Sequence, residues 1–148
     1  MSLPKYLEKK IKELIKCCTK ALQTQVNTLE SNAVQLISSD SSSSFSHVDA
    51  GYLDIANISE TVEAGDYKIS WSLEVFEPSG GDFTVRLQED ASTIVTFTDT
   101  GKTNYFPYSG FQIVTLTAGS HDFELAVNES FGDPIEGRNV FLTLEKIA

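Results

Sequence analysis

Few side chains in this sequence are equipped for chemistry, and none stands in a spacing that would put it to work. The two histidines, His47 and His121, lie far apart, and neither belongs to a local pattern that binds a metal or orients a nucleophile. His121 follows a glycine turn at the start of a predicted strand, where a hydrogen-bonded structural histidine is expected. Cys17 and Cys18 are adjacent. Neighbours on a helix point away from each other, so they form no disulfide, and no further cysteine or histidine is near enough to complete a zinc site. The run Ser41-Ser42-Ser43-Ser44 has neither the histidine nor the glycine elbow that activates a serine nucleophile. Glycine-rich phosphate loops and His-Glu-x-x-His are absent. The acidic pair Glu89-Asp90 could join acid–base chemistry or hold calcium, against its ordinary reading as solvated turn charge. The sequence therefore assigns no catalytic residue, no metal ligand and no cofactor, and a non-enzymatic protein is expected.

What remains suits recognition. The longest turn, 128–139, carries Phe131, Pro134, Ile135 and Arg138 among acids, and Tyr105-Phe106-Pro107-Tyr108 groups three aromatic rings. Aromatic and arginine side chains on loops are typical of contact surfaces. Tyr105, Phe106, Tyr108, Phe131 and Arg138 are therefore candidates for a subunit interface or a ligand surface, with Phe131 and Ile135 equally able to plug the end of a sandwich. The net charge of −10 argues against nucleic acid and against an anionic membrane, because phosphate contacts need basic groups. No stretch approaches the ~18 apolar residues of a membrane span, so no membrane insertion is expected. The N-terminus has lysines but no apolar run of signal-peptide type. Synthesis in a reducing compartment is expected, and the sequons Asn57-Ile58-Ser59 and Asn128-Glu129-Ser130 are read as unused.

The elements that would present these side chains fall into two halves. All nine glycines lie at or after Gly51, and of the fifteen aromatic residues only Tyr6 precedes Phe45. Residues 1–37 carry a net +3 and the remainder −13. The composition predicts an N-terminal helix over 1–37 for oligomerisation and anchoring, a serine-rich linker over 38–44, and a β-sandwich head over 45–148. Pro4 in the first turn and the absence of proline or glycine up to Ile37 support one long helix. Its apolar seam runs Leu7, Ile11, Leu14, Cys18, Leu22, Val26, Leu29, Ala33 and Leu36. Heptad spacing holds at both ends, with a locally unwound middle, as in a coiled-coil stalk; a helix folded back on its own domain is the alternative. Lys5, Lys9, Lys10 and Lys12 crowd the end farthest from the acidic half and are the anchoring candidates.

After residue 44 the apolar period changes from 3.6 to 2. Tyr67, Ile69, Trp71, Leu73 and Val75 share one face, and the alternation continues through Phe83–Leu87, Val95 and Phe97, Phe111 and Ile113, Phe123–Val127 and Val140–Leu144, with Tyr52 to Ile58 as an opening strand. Glycine and acidic turns separate these runs. About eight antiparallel strands in ~100 residues predict a mainly β fold, a jelly-roll sandwich preceded by a long α-helix, with an immunoglobulin-like sandwich as the alternative.

Three segments carry a resemblance: Ala64-Gly65-Asp66-Tyr67-Lys68-Ile69-Ser70-Trp71-Ser72, Leu116 to Leu125 with its Ala118-Gly119-Ser120 turn, and the terminal Val140 to Ile147. Together they resemble small jelly-roll modules of bacteriophage fibres and appendages, which in turn resemble the trimeric heads of the tumour necrosis factor and complement globular-head families. The resemblance covers roughly residues 64 to 148, and no ligand-binding motif carries over. It implies a homotrimeric, structural fibre or appendage protein of a virion, made in the host cytoplasm. In that picture the N-terminal helix binds other virion proteins and the head is displayed, free to meet a host surface glycan or protein. The rival expectation is a carbohydrate-binding, lectin-like module on an oligomeric stalk.

Overall fold

A computed structural model describes residues 4–31, 34–49, 51–129, 132 and 134–147, the side chains of residues 29–31 excepted. The chain divides into two compact units that part between Ala33 and Val34.

The first unit is one helix, α1, Lys5–Ser31. Pro4 precedes it and its carbonyl accepts from the amides of Leu7 and Glu8 at 2.8 and 3.2 Å, the geometry that suits proline at a helix start. At 27 residues it spans about 40 Å, shorter than the sequence pattern suggests. Leu7, Ile11, Leu14, Leu22 and Val26 are all exposed. Thr19, Thr24 and Thr28 hydroxyls donate to the carbonyls four residues back, a bond that weakens helical preference toward this end. Among the described residues no helix is long and apolar enough to cross a membrane.

The second unit is a sandwich of eight antiparallel strands: β1 (Gln35–His47), β2 (Leu53–Val62), β3 (Gly65–Phe76), β4 (Asp82–Glu89), β5 (Ser92–Thr100), β6 (Phe106–Leu116), β7 (Gly119–Glu129) and β8 (Ile135–Lys146). One sheet has the order β1-β8-β3-β6 and the other β2-β7-β4-β5. The pairs β1/β8, β2/β7, β3/β6 and β4/β5 describe one long two-stranded ribbon whose tip is the β4–β5 turn. Successive segments of that ribbon alternate between the sheets, which is jelly-roll winding. The fold is thus a mainly β, antiparallel jelly-roll sandwich with an N-terminal helix.

The core lies between the sheets. Tyr67, Ile69, Leu73, Phe83, Leu87, Phe123, Leu125, Leu142 and Leu144 are all buried, one face of each strand supplying every second residue. Trp71 stacks on Phe97 with ring centres 5.5 Å apart, and Phe83 meets Phe97 and Tyr108 edge-on. A buried Glu77 closes the turn after β3: its Oε1 accepts from the Ser79 amide at 3.0 Å and from the Ser79 hydroxyl.

Three expectations from the sequence change. The serine-rich segment 38–44 does not join two units but lies inside β1, in register with β8 from Ser38↔Leu144 to Ser44↔Arg138. Serines serve there because β1 is a sheet edge, where polar side chains discourage pairing with another chain. Leu36, assigned to the helical seam, is a β1 residue, 58% exposed. Phe111 and Ile113, assigned to the core, point outward, and Tyr108, Val114 and Leu116 take the inward phase of β6. The reason is Gly110, which stands opposite Trp71 in the ladder: the indole fills the inward position that a β6 side chain would otherwise occupy, so the apolar signal of that phase is weak in the sequence.

Candidate functional site

The outward displacement of Phe111 and Ile113 creates an unusual surface. A sheet with one face in the core ordinarily carries polar side chains on the other. Here the outer face of β1-β8-β3-β6 holds Phe111 at 63% exposure and Ile113 and Phe141 at 51% each. The register sets them in rows. Thr143, Ser70 and Phe111 stand side by side across β8, β3 and β6; Phe141, Ser72 and Ser109 form the next row; Glu145, Lys68 and Ile113 form the row on the other side. Small serines in the middle strand, flanked by larger rings, leave a shallow groove bounded by Phe111 and Phe141 and floored by Ser70, Ser72 and Ser109. Lys68 bridges the groove's charged end, its Nζ 3.0 Å from Glu145 and 5.8 Å from the Phe111 ring centre. The Ser70 hydroxyl is buried without a hydrogen-bond partner among the described residues.

Two of the sequence candidates meet on an adjoining part of the same sheet. The Arg138 guanidinium lies 4.2 Å over the Tyr105 ring, within cation–π range. Its Nε donates to Glu74 Oε2 at 2.6 Å, and Asn139 Nδ2 donates to Glu74 Oε1 at 3.0 Å. These bonds hold the Glu74 carboxyl below its usual range, the Arg138 bond contributing most. The Tyr105 hydroxyl donates to Glu136 at 3.1 Å. Phe106 is 48% exposed and leans on the Tyr108 ring.

Tyr108, the remaining aromatic of that run, turns inward instead of forming surface. Its hydroxyl donates to Asp99 Oδ2 at 2.8 Å. Burial, with the Asp99 carboxylate, pushes its ionisation well above the usual tyrosine range. Phe131 and Ala33 fall outside the described residues, as does the Leu29 side chain. Cys17 and Cys18 are both exposed free thiols, and Lys5, Lys9 and Lys12 flank Glu8 and Glu13 on one side of α1. His47 sits beside the Gly51 carbonyl, Nε2 to O 2.9 Å.

Local spacing in the sequence places neither histidine in a ligand set, and the fold sets His121 beside two carboxylates. It is buried at the start of β7, and its Nδ1 lies 2.9 Å from Glu89 Oε1 and 3.2 Å from Asp90 Oδ2. The hydrogen bond to the Thr117 carbonyl, together with the two carboxylates, raises its ionisation above the usual histidine range against the opposing effect of burial. Local spacing could not reveal this cluster, because strand pairing between β4 and β7 brings together residues more than thirty positions apart.

No family model matches the sequence, and no curated protein matches it. Solved structures of similar shape exist at low identity. Eiger TNF of S. frugiperda has 15% identity over 77% of this chain and 94% of its own, with a TM-score of 0.47. The sugar-binding EclA C-terminal domain has 15% identity over 71% of this chain and 79% of its own, TM-score 0.46. A carbohydrate-binding module of Cellvibrio mixtus lichenase 5A, solved with cellotriose, has 18% identity over 77% of this chain and the whole of its own, TM-score 0.44.

Proposed function

We propose that this protein is a non-enzymatic structural component that self-associates as a homotrimer through the outer face of the β1-β8-β3-β6 sheet and through α1, and that it serves as a fibre or appendage head on a virion. The observation that carries self-association is the outward phase of Phe111, Ile113 and Phe141, three large apolar side chains more than half exposed on one sheet face. Contiguous apolar patches rimmed by charge mark contact surfaces, and the Lys68–Glu145 and Arg138–Glu74 pairs supply such a rim. The exposed stripe of α1 offers a second contact of the same kind. The choice of three copies and of a virion setting is supported by the resemblance of residues 64–148 to phage jelly-roll modules and by the order of helix before head. Light scattering tests the assembly: a mass near three times 16.3 kDa is expected, and a monomer at tens of micromolar chain would end the reading.

A second reading is favoured by one specific observation on the same groove. The unpartnered Ser70 hydroxyl, between two phenylalanine rings, offers a sugar a polar contact flanked by apolar faces. In that case the protein is a lectin-like module whose stalk supplies avidity. A glycan array probed with the full chain distinguishes the two, because saturable sugar binding abolished by Ser70→Ala and Phe111→Ala favours the lectin.

A further inference from the structure

The strongest unassigned feature lies on the opposite sheet from the groove, at the tip of the β4–β5 ribbon. Glu89 ends β4 and pairs with Ser92 across a two-residue turn, Asp90-Ala91, whose φ values of 48° and 63° are both left-handed, as a tight hairpin turn requires. The turn is pinned to β7: the Asp90 amide donates to the Asp122 carbonyl at 2.9 Å, and the Asp122 amide donates to Asp90 Oδ1 at 2.9 Å. With Oδ1 engaged, Asp90 has Oδ2 left to face His121.

His121 is oriented from behind. It is 8% exposed, and its Nε2 donates to the Thr117 carbonyl at 3.0 Å, which leaves Nδ1 as the lone-pair nitrogen of the neutral ring. That nitrogen is buried and makes no aligned hydrogen bond, although two carboxylate oxygens stand 2.9 and 3.2 Å away. The carboxylates flank the nitrogen rather than lying where a proton on it would point. An imidazole whose far nitrogen is tied to a backbone carbonyl while its near nitrogen meets carboxylates is the arrangement in which histidine ligates metals.

We propose that Glu89, Asp90 and His121 bind one divalent cation of borderline softness, of the zinc class, through His121 Nδ1, Glu89 Oε1 and Asp90 Oδ2. All three atoms lie within 4.8 Å of one another. A tetrahedral ion with bonds near 2.0–2.2 Å holds its ligand atoms about 3.4 Å apart, so the nitrogen–oxygen separations of 2.9 and 3.2 Å need open by only a few tenths of an ångström. One nitrogen and two oxygens disfavour calcium, which takes six or more oxygens, and the lack of thiolate disfavours soft ions. The Asp90 side chain is half exposed, so ions reach the site from solvent and the fourth position is open to water. Bound there, the ion ties the β4–β5 turn to β7 and neutralises two adjacent carboxylates.

The test uses the full chain carrying Cys17→Ser and Cys18→Ser, which removes the exposed thiols as competing ligands, stripped with chelator and titrated calorimetrically with zinc chloride. One ion per chain is expected, with a dissociation constant in the micromolar range and at least about tenfold weakening in Asp90→Asn and in His121→Gln. Asp90→Asn keeps the acceptor for the Asp122 amide and so preserves the turn; together with Glu89→Gln it decides the matter if His121→Gln fails to fold. No saturation below millimolar zinc, or unchanged affinity in Asp90→Asn, overturns the site. Calcium binding tighter than zinc overturns the class of ion.

Discussion

Gly110 stands directly opposite Trp71 in the β3–β6 ladder, and a Cβ on it would come within 2.6 Å of the indole Cζ2. The indole is stacked on Phe97 on its other side, so it has little freedom to retreat. Gly110→Ala is therefore expected to destabilise the sandwich by about 1–3 kcal/mol through overpacking. Urea unfolding checks this: the midpoint should fall with an unchanged slope, and a variant of wild-type stability would mean that the Trp71 ring does not occupy that space.

A second glycine reports on the strand that the sequence conceals. Phe45 of β1 lies over Gly137 of β8, where a Cβ would meet the ring edge at 2.0 Å. Phe45 and Ile37 are the β1 side chains packed against the core. Phe45→Ala should cost about 1–2 kcal/mol for a half-buried ring and should speed amide exchange across residues 38–47 more than in β3 or β7. If those amides exchange freely in the wild-type protein, the serine run is a linker after all.

These two positions also show what could be read in the sequence. The strands buried on one face, β3, β4, β7 and β8, announce themselves because Tyr67 to Val75, Phe83 to Leu87, Phe123 to Val127 and Val140 to Leu144 carry a large apolar residue at every second position. Two of the edge strands, β1 and β6, do not. In β1 the register is set by β8, and its own serines carry no apolar period. In β6 the inward phase is broken by Gly110 while the outward phase is apolar, so alternation alone points the strand the wrong way. The Arg138–Tyr105 contact and the Glu89, Asp90 and His121 cluster depend on pairings between distant segments, which no local pattern encodes.

Asp99 gives a pH dependence with a definite sign. It accepts from the Tyr108 hydroxyl and from the Thr100 amide, both at 2.8 Å. Its carboxyl is held below the usual range, chiefly by the Tyr108 bond. A depressed carboxyl contributes stability that is fully present above its unfolded pKa near ~3.9 and is lost as pH falls through the lower folded value. Tyr108→Phe should thus cost about 1 kcal/mol at neutral pH, the low end for a charged acceptor because Asp99 is partly solvated. The gap from wild type should stay constant above pH ~5 and narrow below ~4. A gap independent of pH from 2 to 7 would assign the loss to ring packing alone.

The proposed homotrimer has two separable contacts, and their coupling decides the architecture. Leu14 and Leu22 are more than 60% exposed on α1, as Phe111 is on the sheet. Leu14→Asp with Leu22→Asp places charges in the helical stripe and should prevent helix association, since each would be buried without a partner. Phe111→Ser with Phe141→Ser should weaken the sheet contact while leaving the core untouched. Because each contact holds the other's surfaces at high effective concentration, either pair alone should move trimer dissociation to higher chain concentration. All four changes together should give a monomer with an unchanged strand signal in circular dichroism. If the helix pair alone already yields monomer at every concentration, the sheet face contributes nothing to assembly. Its outward phenylalanines would then be free to meet a ligand, which is the outcome the lectin reading requires.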